Sequence, residues 1–120
     1  MSNPRYRISQ TALSDITDIL RHSQVQFGSD ARLRYQALLQ AAIGDIARTP
    51  ARIGSSIRDE IAPGLRSFHL IYSRTRAATV HGLVQKPRHV VFYRVANDHV
   101  IEIVRILHDA MEARLHLPEV

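Results

Sequence analysis

The stretch from Arg88 to His108 constrains this chain more than any other. Two runs rich in Val, Ile, Phe and Tyr flank Ala96-Asn97-Asp98, and Asn and Asp tolerate the left-handed backbone that tight turns demand, so the pattern predicts a β-hairpin. Strict alternation sends Val100, Val104 and Ile106 to one face of the second strand and Ile101, Ile103 and Leu107 to the other. A strand apolar on both faces belongs inside a sheet. Arg105 interrupts that apolar run, and Arg94, Tyr93, His89 and His108 lie in the same hairpin. Charges at such positions are costly unless paired or held at a strand end, which makes this cluster the first place to look for function.

Upstream, Arg5 to Ile8 reads as a short opening strand with Tyr6 and Ile8 on one face. Ser9 stands where a helix N-cap belongs, ahead of Ala12, Leu13, Ile16, Ile19 and Leu20, whose spacing of three and four gives one apolar stripe. The first helix is predicted over 10–26, with Asp15 and Asp18 early in it, where negative charge is favoured. Gly28-Ser29-Asp30 breaks and caps, and Tyr35, Leu38, Leu39, Ala42, Ile43 and Ile46 define a second helix up to Arg48. Thr49-Pro50 ends it, because proline disfavours helical geometry in the residue before it. So short a link makes the two helices an antiparallel hairpin with one apolar face to cover.

Residues 51–64 read as a loop and 65–72 as a strand in which Phe68, Leu70 and Tyr72 share a face, with a short helix over 68–75 as the alternative. The segment 73–87 is the least patterned; it admits a strand near 80–84. Asp109 to Leu117 is predicted as a short C-terminal helix. The order strand, helix, helix, strands describes an α+β fold: a helical hairpin on one face of a mostly antiparallel sheet, in a single domain over 1–120. Such a fold leaves the other sheet face and any edge strand open to a partner.

Composition narrows the classes. Cysteine is absent, which excludes disulfides and thiolate metal sites and suits a reducing cytoplasm. No run reaches the roughly 18 apolar residues of a membrane helix, and the N-terminus lacks the apolar core of a signal peptide, so no membrane is expected. The formal charge of +5 comes almost wholly from arginine, since of 16 basic residues only Lys86 is lysine. Arginine's planar fork suits carboxylates and phosphates, so the bias fits an acidic protein or nucleic acid partner; a high-GC genome that writes arginine for lysine explains it equally well. The 7 histidines lack metal-ligand spacing, and no cofactor or metal site is expected.

Ser9-x-x-Ala12-x-x-Asp15-Ile16, Phe27-Gly28, Pro50, Gly64-Leu65-Arg66, His89-x-x-x-Tyr93-Arg94-Val95 and Ile103-x-Arg105-Ile106-Leu107-His108-x-x-Met111 occur in this order over nearly the whole chain. In this the sequence resembles the RelE/ParE superfamily of type II toxin–antitoxin toxins, and its tail resembles the ParE-like side. Two departures stand out. ParE-like toxins usually pass almost directly from Gly-Leu-Arg to the His-x-x-x-Tyr-Arg strand, whereas here 67–88 intervenes, and the C-terminal Leu115-His116-Leu117-Pro118 lacks the tyrosine that RelE-like nucleases carry.

The resemblance implies a toxin that binds DNA gyrase, needs no cofactor and is neutralised by a small acidic ParD-like antitoxin lying across its helices and sheet edge. Partner contacts are then expected from His89, Arg94, Arg105, Arg74 and Arg76. The alternative is a RelE-like, metal-independent endonuclease acting on messenger RNA at the ribosome, with Arg66 and Arg105 holding the phosphate and Tyr93 or His108 transferring protons. A third reading is a degenerate toxin kept only to bind its antitoxin. Each residue also has a structural reading, with Arg94 and Arg105 paired to Glu102, Asp59 or Glu60 and Tyr93 in the core. That reading outweighs the functional one for Tyr93 and Arg94 and balances it for Arg105. The arginines of 67–88 come without aromatic stacking or helix-turn-helix signals, and the segment reads rather as a solvated loop or edge strand.

Overall fold

A computed structural model describes residues 5–117; Pro118 of the C-terminal tail lies outside them. Strand β1 (Tyr6–Ile8) leads into helix α1 (Gln10–Phe27), and α2 (Ser29–Arg48) follows directly. Ser9 caps α1 as its sequence position suggests: its Oγ accepts from the Ala12 amide at 3.0 Å and donates to the Val104 carbonyl at 2.8 Å. Gly28, with φ +94°, closes α1 through its own amide to the Gln24 carbonyl and opens α2 with no side-chain cap. The positive φ is why glycine sits between two helices that reverse direction without a loop.

Strands β2 (Ser55–Ile57), β3 (Arg66–His69), β4 (His89–Val95) and β5 (Ile101–His108) complete a five-stranded sheet in the order β1-β5-β4-β3-β2. All neighbours are antiparallel except β1 and β5, the first and last strands of the chain, which run parallel. One sheet face packs on the helical hairpin: Leu38, Ala42 and Ile46 of α2 and Ala12 and Leu20 of α1 meet Phe68, Val91, Tyr93, Ile101, Ile103 and Ile106. The opposite face, expected open, is partly covered. Phe92 and Leu107 pack there with Ala62, Leu65 and Leu117, so the loop before β3 and the C-terminal tail form a smaller second core.

Several elements differ from the sequence expectation. Ile106 joins the helix-side core and Leu107 the opposite one, the reverse of strict alternation. Phe92 pairs with Arg105 while Tyr93 pairs with Ile103, leaving Val104 as an extra residue that shifts the side-chain phase by one. The turn residue with positive φ is His99, at 63°, not Asn97 or Asp98, and the connection spans 96–100. The strand of 65–72 stops at His69, whose Nδ1 accepts from the Ile71 amide at 3.0 Å and starts a 3-10 helix over Leu70–Ala77. Tyr72 is consequently exposed instead of sharing the face of Phe68 and Leu70. No strand forms at 80–84, only a bridge between Thr79 and Gly82, and the C-terminal helix shrinks to Ala113–Leu115.

The middle of the chain, between β3 and β4, is anchored by Asp45 of α2, whose carboxylate is 0% exposed. It accepts from Ser73 Oγ at 2.7 Å and Arg48 Nη2 at 3.0 Å and from Arg76, while Arg52 donates to its backbone carbonyl at 3.3 Å. One carboxylate thus joins the end of α2, the loop after it and the 3-10 helix. Replacing Asp45 with alanine leaves the half-exposed guanidiniums of Arg48 and Arg76 and the buried Ser73 hydroxyl without that acceptor, a loss of about 1 to 3 kcal/mol. Urea unfolding of Asp45→Ala measures it, and a loss under about 1 kcal/mol contradicts the anchor.

Candidate functional site

The sequence-predicted site residues separate into three places. Arg105 comes off β5 beside the extra residue and reaches back to α1. Its Nε and Nη2 bind the Asp15 carboxylate at 2.8 and 2.9 Å, and the same carboxylate accepts the Ile106 amide at 2.9 Å. The remaining Nη1 donates to the His116 carbonyl at 2.5 Å, holding the C-terminal tail. The partner is therefore Asp15, not Glu102, Asp59 or Glu60. Asp59 instead caps the Gly64 amide, and Glu60 pairs with Arg58. Arg94 meets Glu102 at 2.9 Å, and Arg7 shares that carboxylate at 3.2 Å. Arg94, Glu102 and Arg105 border a groove of about 520 Å³ on the second sheet face, lined also by Leu65, Val104 and Leu117.

Tyr93 and Arg66 lie on the other side of the sheet. Tyr93 is fully buried among the helix-side residues, and its hydroxyl donates to the Pro50 carbonyl while accepting from Ser55 Oγ, each at 2.5 Å. Arg66 Nε donates in turn to Ser55 Oγ at 2.8 Å. This line of donors fixes the loop after α2 to the sheet. It leaves the Tyr93 oxygen no open approach for a substrate.

His89 and His108 form a directly opposed cross-strand pair at the far end of β4 and β5, with ring centroids 5.4 Å apart. Tyr35 of α2 meets His89 Nδ1 at 2.5 Å, and because the Arg88 amide already donates to the Tyr35 oxygen at 3.2 Å, the phenol proton is directed at the imidazole. His108 Nδ1 accepts from the Ala110 amide at 3.1 Å. His69 Nδ1 accepts from Ile71, so its Nε2 carries the proton that bonds Asp109 at 3.0 Å. In all three rings Nδ1 accepts a hydrogen bond, which puts the proton of the neutral ring on Nε2 and leaves no unoccupied ring lone pair for a metal. Among the described residues no group of three His, Cys, Asp or Glu is placed to hold a metal ion.

The electrostatics of this end follow from the same contacts. The bidentate Arg88, then His69, hold the Asp109 carboxyl well below the usual range. Burial pushes the Tyr35 phenol up to about 12. Arg74 and Arg76 of the 3-10 helix lie elsewhere again: Arg76 is spent on Asp45, and Arg74 reaches only the Gln85 carbonyl at 3.5 Å.

The four residues of the endonuclease reading therefore do not converge. Arg66 and Tyr93 share one site, Arg105 faces the second groove, and His108 belongs to the histidine cluster. Sequence reading passed over Asp15, Tyr35, Asp45 and Asp109, which hold these groups in place. From sequence Asp15 reads as a helix-start acid, Asp109 as the first residue of a short helix and Tyr35 as part of an apolar stripe, and nothing there marks Asp45 as buried.

The family described as "ParE toxin of type II toxin-antitoxin system, parDE" matches residues 6–113. The chain is 37% identical over 112 residues to Toxin ParE1 of Caulobacter vibrioides, covering 93% of this chain and 96% of that protein. It is 31% identical over 113 residues to Toxin ParE1 of Mycobacterium tuberculosis, covering 94% and 97%. These relatives are of about the same length as this chain, so the stretch between β3 and β4, which from sequence reads as an intervening segment, is not an addition to the family's chain.

The histidine cluster makes a pH prediction. Burial first, then the neighbouring His108, lowers the His89 pKa from 6.5 to about 4. With the folded value below the unfolded one, the unfolded chain binds a proton between about pH 6.5 and 4 that the folded chain refuses. The stabilisation is full above pH 6.5 and declines as pH falls toward 4, by an amount of order 2 kcal/mol at a partly exposed ring. Chemical denaturation across that range is expected to show the decline in the native chain and a clearly smaller one in His89→Gln.

Proposed function

The chain belongs to the ParE toxin family of type II toxin–antitoxin systems, and from that premise we propose that it arrests growth in the cytoplasm by binding DNA gyrase and is neutralised by a cognate ParD-like antitoxin. What supports a binding role over an endonuclease is the commitment of every candidate acid–base group. Tyr93 is buried and doubly bonded, His108 has its Nδ1 lone pair occupied, and Arg105 is held by Asp15. Metal-free RNA cleavage needs a free base, an acid and a cation around one phosphate, and these residues sit in three separate places.

The antitoxin surface we favour is the outer side of the helical hairpin. Leu13, Val25, Phe27 and Leu33 are exposed there, and a groove of about 440 Å³ between α1 and α2 is lined by Ile16, Leu20, Val25, Arg21 and Arg32. An amphipathic acidic segment gains apolar anchors in such a groove and opposite charges at its rim.

Expression of the chain without antitoxin is the test. Filamentation, an induced DNA-damage response and accumulation of cleaved DNA–gyrase complexes are expected, all reversed by the antitoxin. Immediate loss of translation with ribosome-dependent cleavage of messenger RNA, abolished by Arg105→Ala, overturns gyrase as the target. Unimpaired growth overturns activity altogether and leaves an antitoxin-binding relic.

A further inference from the structure

Nine of the 15 arginines, all within the described residues, lie within 4.0 Å of a carboxylate, and seven of them, Arg7, Arg48, Arg58, Arg76, Arg88, Arg94 and Arg105, at 3.2 Å or less. The segment that follows the 3-10 helix, packed on α2, is different. Arg34 of α2 donates Nη1 to the His81 carbonyl at 3.1 Å, and Gly82 lies against its Cδ. Arg74 donates Nη1 to the Gln85 carbonyl at 3.5 Å, and Lys86, the next residue, is exposed. Among the described residues, no carboxylate lies within ion-pair distance of Arg34, Arg74 or Lys86. The nearest acid of the segment, Asp30, is 3.4 Å from His81 Nδ1.

A guanidinium held by a carbonyl is oriented without being neutralised, and four of its five N–H donors stay free. Two such guanidiniums, Arg34 and Arg74, and the exposed ammonium of Lys86 lie around the turn Thr79–Gly82, whose tip, Val80, is 97% exposed. We propose that this face binds the phosphate backbone of duplex DNA. Fixed cations on a projecting turn match phosphates, which need charge and donors but no apolar pocket. An acidic peptide that orders on binding needs a groove in which to bury apolar anchors as well, and neither groove described above is lined by Arg34, Arg74 or Lys86. Both of those grooves lie elsewhere, on the second sheet face and between α1 and α2. The proposal does not rest on gyrase being the target.

The test is fluorescence anisotropy of a short labelled DNA duplex titrated with the full chain between about 50 and 200 mM salt. Binding is expected to weaken linearly on a log–log plot. The variant Arg34→Gln/Arg74→Gln/Lys86→Gln is expected to flatten that slope by about 2 to 3 and to lose about tenfold or more in affinity at the low-salt end. Lys86→Gln alone removes an exposed side chain without touching Arg34 or Arg74, and it flattens the slope by about 1 even if the triple variant fails to fold. Arg5→Gln/Arg114→Gln removes the same kind of charge away from this face and is expected to leave the slope unchanged. Equal flattening by that control reduces the effect to net charge and overturns the site. Absence of salt-dependent binding, or a triple variant that keeps DNA but loses the antitoxin, overturns it as well, the latter in favour of an acidic peptide.

Discussion

Arg105 can lie within an apolar strand only because Asp15 meets it there. The pair is bidentate and mostly buried, and the same carboxylate takes the amide of the next residue, Ile106. Three layers depend on it: α1 through Asp15, the sheet through β5, and the tail through the His116 carbonyl on the remaining nitrogen. The extra residue Val104 lies next to it, with its carbonyl taken by the hydroxyl of the α1 cap, Ser9. An unpaired arginine here would leave a desolvated charge against an interrupted ladder, so the bulge, the cap and the ion pair form one joint.

Much of this architecture was legible because it is local. The helical hairpin announces itself through an apolar stripe, Ser9 and a glycine between helices, and β4 and β5 through their β-branched runs. What escaped was set by distant partners. β2 consists of Ser55, Ser56 and Ile57, which carry no strand pattern and become a strand only because β3 lies beside them. Val104 looks like any other valine until the two strands are in register. Asp45 sits in an ordinary helical context, yet folds into a fully buried hub because the 3-10 helix after β3 brings Ser73 and Arg76 to it. The candidate site fared likewise: Glu102 could be named for Arg94 from cross-strand proximity, whereas Asp15 lies 90 residues from Arg105.

The same commitments bear on what kind of toxin this is. A residue locked into a bidentate pair or a chain of hydroxyls supplies rigidity, and rigidity suits a surface that must present itself unchanged to a large partner. The uncommitted chemistry lies outside the core, in exposed apolar side chains on the helices and cations around the turn Thr79–Gly82. The segment between β3 and β4 thus has two sides. Its inner residues tighten α2 through Asp45, and its outer ones enlarge the charged surface.

The parallel pairing of β1 with β5 has a further consequence in time. Tyr6 finds its register against Ile101, so the first strand waits for nearly the whole chain before it has a neighbour, and Asp15 waits with it for Arg105. Closing a loop of that span carries an entropic cost that local helix formation does not, and folds dominated by such contacts assemble slowly. During synthesis the helices emerge early with their apolar face uncovered, and the five-stranded sheet exists only after β5 is made. That interval is one in which a partner already present can meet the nascent helices before the sheet does.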